Sequence, residues 1–183
     1  MMAMEEGLLS MNNSEKIVLV DLDDRIIGSE TKNRVHEEGL LHRAFSIFIL
    51  DGTKMLLQRR NMDKYHSGGL WSNACCSHQK EGETLDDAIH RRLYEELGIN
   101  CRLNEVFSFV YRTVFENGLT EYEFDHVFVG EYNGTFSVNY NEASEVKWFE
   151  FEELKKMMQN SPGLFSSWFI IAAPRIMRIM EEK

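Results

Sequence analysis

The segment 77–99, SHQKEGETLDDAIHRRLYEELGI, carries carboxylates at positions that could serve a metal ion. Glu83 lies in its polar first part, and the adjacent pair Glu95 and Glu96 comes just before Gly98. A hard dication such as Mg²⁺ prefers carboxylate and phosphate oxygens together. The apolar residues of the segment recur at helical spacing: Leu85, Ala88, Ile89, Leu93 and Leu97. The segment therefore predicts a helix that ends at Gly98 and presents carboxylates to a phosphate-bound metal.

Arg92 changes the chemistry expected of this helix. It stands four residues before Glu96, so the two side chains share one helix face. A permanent guanidinium charge there weakens a site built for several metal ions and favours phosphate binding instead. We therefore expect a diphosphate substrate that is held and not cut.

A second set of donors lies outside this segment. His36, His42 and His78 offer imidazole nitrogens, and Glu121 and Glu123 offer carboxylates. Residues two apart on a strand share a face, with Cα atoms roughly 6.6–6.8 Å apart, so both glutamates can turn toward one site. Three nitrogens and two oxygens suit a borderline divalent ion such as Zn²⁺ or Mn²⁺.

The composition is that of an ordinary globular protein with an acidic surface. The chain has 183 residues, 43% of them hydrophobic, and a formal net charge of −10. This charge repels nucleic-acid backbones and anionic lipids, so neither is expected as a partner. Three cysteines are too few for a secreted disulfide framework, and the apolar runs are too short for a membrane span. A cytoplasmic protein is expected, with residues 1–14 as a disordered leader.

Two hairpins and the central helix must position these side chains. Asp51-Gly52 supplies the tight turn of the first hairpin, and Pro174 marks a kink or a new start in the helical tail. Residues 61–73 are expected to form a loop. The predicted elements are strands at 17–22, 43–50, 54–58, 106–115, 121–130 and 146–149, and helices at 83–97, 152–158 and after 163. One α+β domain over residues 15–183 is predicted.

The segment 77–99 resembles the Nudix box, whose glutamates hold Mg²⁺ against a diphosphate. Ser77 stands where the box has glycine and Arg92 where it has glutamate, and the matching positions are Glu83, Arg91, Leu93, Glu95, Glu96, Gly98 and Ile99. With NACCSH at 73–78, LHRAFS at 41–46 and Glu121-Tyr122-Glu123, the altered box resembles the type 1 isopentenyl-diphosphate delta-isomerase family over 17–168. This resemblance implies Nudix-type mixed β-sheets flanked by helices, and isomerisation of isopentenyl diphosphate to dimethylallyl diphosphate.

The resemblance also implies roles for individual residues. Cys76 and Glu123 would be the opposed acid and base, in an order left open, with Tyr111 and Trp168 beside them. Glu96 and the main-chain carbonyl of Cys76 would hold Mg²⁺. A second divalent metal (Mn²⁺, Zn²⁺ or Mg²⁺) would lie among His36, His42, His78, Glu121 and Glu123. The bases that would grip the diphosphate are Lys32, Arg60, Lys64 and Arg92. The implied partner is a small prenyl diphosphate; no flavin is implied, and a monomer is expected.

Five nearby residues of suitable chemistry are not expected to belong to the site. His126 has the opposite strand parity to Glu121, and Asp125, which shares that parity, is interpreted as solvated or behind the site. His66 in the glycine loop and His90 on the polar helix face are interpreted as ordinary surface or core histidines, and Cys75 as a packing residue.

Two other functions remain open. A Nudix hydrolase of a nucleoside diphosphate derivative would release phosphate or pyrophosphate and tolerate Cys76→Ala. A non-catalytic metal-binding Nudix module would bind metal without turning over a prenyl diphosphate.

Overall fold

The computed structural model describes residues 15–64 and 66–182. The leader expected at residues 1–14 lies outside the described residues. The strands are β1 (Lys16–Val20), β2 (Ile26–Thr31), β3 (His42–Asp51), β4 (Lys54–Arg60), β5 (Trp71–Asn73), β6 (Cys75–His78), β7 (Leu103–Val114), β8 (Thr120–Glu131) and β9 (Ala143–Glu150). The helices are α1 (Lys32–Glu38), α2 (Leu85–Leu97), α3 (Phe151–Asn160) and α4 (Ser167–Glu181), with a 3-10 turn at Pro162–Leu164.

Strand β3 is the centre of one mixed sheet that joins the nine strands of the described chain. It pairs antiparallel with β1, β4 and β6, and parallel with β8. The predicted hairpins are both confirmed, since Asp51 pairs with Lys54 and Val114 pairs with Thr120. The fold is therefore a single α+β domain, as predicted, with its strands in one continuous sheet.

Alternate side chains of β3 enter two apolar cores, one on each face. Phe45 and Ile47 pack with α2, while Phe48 and Leu50 pack with α3 and α4. Burying one such large side chain contributes about 1.5–3 kcal/mol to folding. The two cores fix α2 and α4 on opposite faces of β3.

The predicted end of α2 at Leu97 is confirmed, and the helix begins at Leu85, two residues later than predicted. The Thr84 hydroxyl accepts a hydrogen bond from the backbone N–H of Asp87, and Gly98 ends the helix at φ +63°. A left-handed backbone at that position strongly favours glycine, as the sequence pattern required.

Several elements differ from the predictions. Strand β2, helix α1 and strand β6 were not predicted, and β5 lies within the predicted loop 61–73. Helix α4 continues through Pro174, so a new helix start there is wrong. Pro174 lies on the exposed side of α4, while Ala173 and Met177 hold the helix in the core. Among the described residues, no helix has both the length and the apolarity to cross a membrane.

Candidate functional site

Four buried side chains from four elements converge beside the start of β3. His36 lies on α1, His42 begins β3, His78 ends β6 and Glu121 lies near the start of β8. Their donor atoms lie within 4.8 Å of one another. The strand register causes this convergence, because His42 pairs with Glu123 on β8 and its neighbour on the same face, Ala44, pairs with His78. We call these four residues the imidazole pocket.

Backbone carbonyls orient two of these imidazoles. Nδ1 of His36 lies 2.6 Å from the carbonyl oxygen of Lys32, and Nδ1 of His42 lies 2.8 Å from that of Leu40. Because a carbonyl oxygen accepts, both Nδ1 atoms donate, and each Nε2 atom faces Glu121. A protonated Nε2 donates to that carboxylate, and a neutral one offers its lone pair to a metal ion. Those Nε2 atoms lie 3.1 and 3.4 Å from the Glu121 oxygens. Ligands about 2.1 Å from one ion and at right angles are about 3 Å apart, so the donors fit a divalent metal.

The imidazole pocket attracts positive charge. Burial alone would lower the pKa of His42, but hydrogen bonds with Glu121 and Glu123 raise it to about 10. Burial alone would raise the pKa of Glu121, but hydrogen bonds from the surrounding histidines hold it well below its usual value. A divalent cation that binds among these buried imidazoles and carboxylates would replace the protons that the imidazoles carry.

Glu123 joins the imidazole pocket to a cavity that contains reactive side chains. One of its oxygens lies 2.9 Å from Nε2 of His78, and the other accepts a hydrogen bond from the Tyr111 hydroxyl at 2.6 Å. The Cys76 sulfur lines the same cavity, 3.6 Å from Nη1 of Arg60. Burial raises the pKa of the Cys76 thiol to about 12, although the charge of Arg60 opposes the shift. The thiol therefore keeps its proton at neutral pH.

Trp168 forms an aromatic part of the cavity wall. Its indole Nε1 donates to Oδ1 of Asn73 at 3.0 Å, which fixes the ring. The guanidinium carbon of Arg60 lies 5.2 Å from the ring centroid, and the Tyr111 ring lies 6.5 Å away. A fixed aromatic face of this kind can stabilise positive charge in the cavity.

Another part of the wall consists of bases and acids that pair with one another. Arg92 donates from Nη2 to Glu96 at 2.5 Å and to Glu142 at 3.2 Å, and from Nη1 to Glu95 at 2.8 Å. Lys64 forms an ion pair with Glu142. We call Lys64, Arg92, Glu96 and Glu142 the anion face; Lys32 lines the same cavity. The bases expected to bind phosphate thus line one cavity. Two of them, Lys64 and Arg92, already have a carboxylate partner.

The carboxylates of the box have different surroundings. Glu83 accepts from Nε and Nη2 of Arg91 at 2.6 and 3.0 Å, so this pair fastens the loop before α2 to the helix. Glu95 is exposed, whereas Glu96 is buried and accepts from Nε2 of Gln58 at 3.1 Å. Burial raises the pKa of Glu96. Among these three carboxylates of the described chain, Glu96 is the one that lines the cavity.

Two loop residues join the site against expectation: His66 was interpreted as an ordinary histidine, and Glu142 was not singled out. His66 is buried, its Nε2 hydrogen-bonds to Glu121, and its ring stacks on Phe115 with centroids 4.4 Å apart. Glu142 precedes β9 and pairs with both Lys64 and Arg92. Neither residue has a local pattern that distinguishes it from an ordinary loop side chain.

The residues not expected to belong to the site have mixed outcomes. Asp125 is buried and accepts from the Ser46 hydroxyl at 2.8 Å, so a solvated Asp125 is wrong and a position behind the site is right. His126 points away from the cavity and contacts Asp24 and Glu105. His90 is partly exposed on α2, and Cys75 packs in the core under α2, both as predicted.

Comparison with known proteins places this geometry in a family. The NUDIX domain family matches residues 40–169. The chain is 49% identical, over 156 residues, to the isopentenyl-diphosphate Delta-isomerase of Burkholderia multivorans, covering 85% of this chain and 89% of that protein. It is 47% identical to isopentenyl-diphosphate Delta-isomerase 2 of Photorhabdus laumondii, covering 85% and 88%.

Solved structures share the fold at low sequence identity. A protein of Deinococcus radiodurans matches with a TM-score of 0.71 and 19% identity, covering 88% of this chain and 98% of that one. A MutT protein of Methanosarcina mazei matches with a TM-score of 0.60 and 16% identity, covering 78% and 94%. These matches support the fold alone.

Proposed function

The chain belongs to the isopentenyl-diphosphate Delta-isomerase family within the NUDIX fold, and from this premise we propose that its cavity interconverts isopentenyl diphosphate and dimethylallyl diphosphate. One observation carries the proposal: a single cavity is lined by Cys76, Glu123 and Trp168 and also by the basic side chains that suit a diphosphate. The groups for diphosphate binding and for proton transfer therefore line the same cavity.

The reaction moves one double bond by two proton transfers. A proton is added to the terminal alkene carbon, which becomes a methyl group. A proton is then removed from the carbon next to the oxygen-bearing carbon, and the new double bond forms there. The state between the two transfers has tertiary carbocation character, so the site must exclude water and supply an acid and a base.

Cys76 and Glu123 are the proposed acid–base pair. The thiol is protonated at neutral pH because burial raises its pKa. Glu123 is held by His78 and by the Tyr111 hydroxyl, which can stabilise either protonation state of the carboxyl. Trp168 presents the aromatic face suited to the cationic state. Which member of the pair donates in each direction stays open.

The imidazole pocket, together with Glu123, is proposed to hold a divalent metal, with Mn²⁺, Zn²⁺ and Mg²⁺ as the candidates. When bound, the ion would balance the buried carboxylate charge and fix the position of Glu123. Glu96 and the main-chain carbonyl of Cys76 are proposed to hold Mg²⁺ against the diphosphate, as the family resemblance implies. The proposed bases for the diphosphate are Lys32, Arg60, Lys64 and Arg92.

We further propose that residues 15–183 form the catalytic domain and that the protein acts as a monomer in the cytoplasm. The cavity is lined by residues from Lys32 to Trp168 of this one chain, so a single copy supplies the side chains named for the cavity.

A paired assay tests the proposed function. The purified protein is incubated with isopentenyl diphosphate and Mg²⁺ or Mn²⁺, and dimethylallyl diphosphate is followed by NMR; nucleoside diphosphate derivatives are tested in parallel for phosphate release. We expect isomerisation that stops on chelation and resumes when the divalent metal is restored. His90→Gln, on the polar face of α2, is the matched histidine control and should retain activity. Phosphate release without isomerisation would show a hydrolase instead, and metal binding without either reaction would show a non-catalytic module.

A further inference from the structure

Glu142 stands between two of the bases proposed to bind the substrate. Its carboxylate pairs with Nζ of Lys64, and its Oε1 accepts from Nη2 of Arg92 at 3.2 Å. Its side chain is 21% exposed, so water competes only partly for these bonds. One carboxylate therefore pairs with both cations at the cavity wall.

The backbone holds Glu142 in this position. The loop before β9 donates from Ser137 N to Leu97 O at 2.8 Å and from Asn139 N to Glu96 O at 2.9 Å, which ties it to the end of α2. The carbonyl of Glu142 itself accepts from Asn61 N at 3.0 Å. These bonds attach the loop both to the helix that carries Arg92 and to the loop that carries Lys64. The contact of Glu142 with the two bases is therefore built into the fold.

The Glu142 carboxyl group is ionised as well as fixed in position. Burial alone would raise its pKa, but the hydrogen bond and charge of Lys64, with the charge of Arg92, lower it to about 2. The carboxylate thus stays ionised under ordinary assay conditions. A carboxylate and a phosphate compete for the same guanidinium and ammonium donors, and a diphosphate brings more charge and more oxygens.

We propose that Glu142 is an internal counter-ion of the anion face: it positions Lys64 and Arg92, and the substrate's diphosphate displaces it on binding. This inference rests on the proposed function, which supplies the diphosphate. Removing the charge of Glu142 should then strengthen diphosphate binding, whereas a merely structural residue would weaken binding when changed.

Calorimetry with inorganic pyrophosphate and Mg²⁺ on the full metal-loaded chain tests the proposal. Glu142→Gln keeps the shape and removes the charge; Glu142→Asp keeps the charge. Glu153→Gln, an exposed residue of α3, removes one charge away from the cavity and is the matched control. We expect Glu142→Gln to lower the Kd about tenfold, the size of one partly buried charge interaction. Glu142→Asp should not bind more tightly than the parent chain, and Glu153→Gln should leave the Kd unchanged.

The outcomes separate this inference from the proposed function. If the parent chain isomerises its substrate and binds pyrophosphate, but Glu142→Gln binds equally or more weakly, the counter-ion role is wrong and the isomerase stands. If the parent chain neither isomerises nor binds pyrophosphate, the proposed function fails and the counter-ion role fails with it. Thermal melting checks that each variant folds, and Glu142→Ser replaces Glu142→Gln if the latter does not; the same tightening is expected.

Discussion

The imidazole pocket and the anion face belong to one site but are constructed differently. The pocket takes its side chains from α1, β3, β6 and β8, and two of its imidazoles are oriented by backbone carbonyls. The anion face uses long side chains, two of them on loops, and its bases bond to carboxylates of the protein itself. The sheet fixes the side chains of the imidazole pocket. The anion face is held by hydrogen bonds and ion pairs that a ligand can replace. This difference suits a site that fixes its proton-transfer groups and yet admits and releases a charged substrate.

The largest effects are expected where the fixed region meets the reacting atoms. Cys76→Ala and Glu123→Gln each remove a proposed proton-transfer group, and kcat should fall by about 10²–10⁴-fold or more. Steady-state assays of isomerisation measure this loss. Cys76→Ala should retain its metal content, because its sulfur is outside the donor set of the imidazole pocket. Near-normal turnover in Cys76→Ala would contradict the assignment.

His66 tests whether the fixed region depends on its outer contacts. His66→Phe keeps the stack on Phe115 but removes the hydrogen bond to Glu121, so metal affinity should fall about 10–100-fold. His66→Gln, which can still donate to Glu121, should recover part of that loss. Co²⁺ titration followed by its absorption spectrum measures both variants. An unchanged Co²⁺ affinity in His66→Phe would show that the fixed region does not need this contact.

Arg92 tests the exchangeable region. Arg92→Gln removes a charge-assisted bond to the diphosphate, so KM should rise about tenfold or more while kcat changes less. Substrate-concentration curves separate the two constants. A loss confined to kcat would mean that Arg92 acts on the reacting atoms and not on the diphosphate, and the contrast between the regions would disappear.

The smallest effect is on stability and depends on pH. The pKa of Glu142 is lowered to about 2 in the folded chain from the ordinary 4.5. Its ion pairs therefore stabilise the fold above about pH 4.5, and this stabilisation is lost as the pH falls toward 2. The parent chain should exceed Glu142→Gln by about 1–2 kcal/mol in free energy of unfolding at pH 6, allowing for partial exposure. Urea unfolding from pH 6 to pH 3 should show this gap narrowing, and a constant gap would contradict the ion-pair account.

Local patterns predicted the parts of the fold that local physics determines. Asp51-Gly52 and Gly98 provide the backbone conformations of a turn and a helix end, and both occur as predicted. Strand β2 escaped prediction because its residues are exposed or half-buried at the sheet edge and include Gly28, so no alternating apolar pattern appears. Pro174 was ambiguous because the packing of α4, and not its sequence, decides that the helix continues.

The site residues that could be predicted are those that lie in recognisable sequence motifs. Cys76, Glu96 and Glu123 lie in recognisable segments, and the fold brings them to one cavity. His66 and Glu142 reach the same cavity through loops whose positions depend on tertiary contacts, such as the bond from Asn61 N to Glu142 O. Such contacts join residues far apart in the chain, and a single sequence carries no signal for them.

The central claim is that the cavity adds one proton to the terminal alkene carbon and removes another from the allylic carbon next to the oxygen-bearing carbon. The most direct test is an NMR time course of isopentenyl diphosphate with Mg²⁺ in D₂O, run for the parent chain, Cys76→Ala and Glu123→Gln. The account predicts that the parent chain forms dimethylallyl diphosphate with deuterium in the new methyl group, and that both variants lose this product. Isomerisation without deuterium in the methyl group, or undiminished incorporation in both variants, would contradict it.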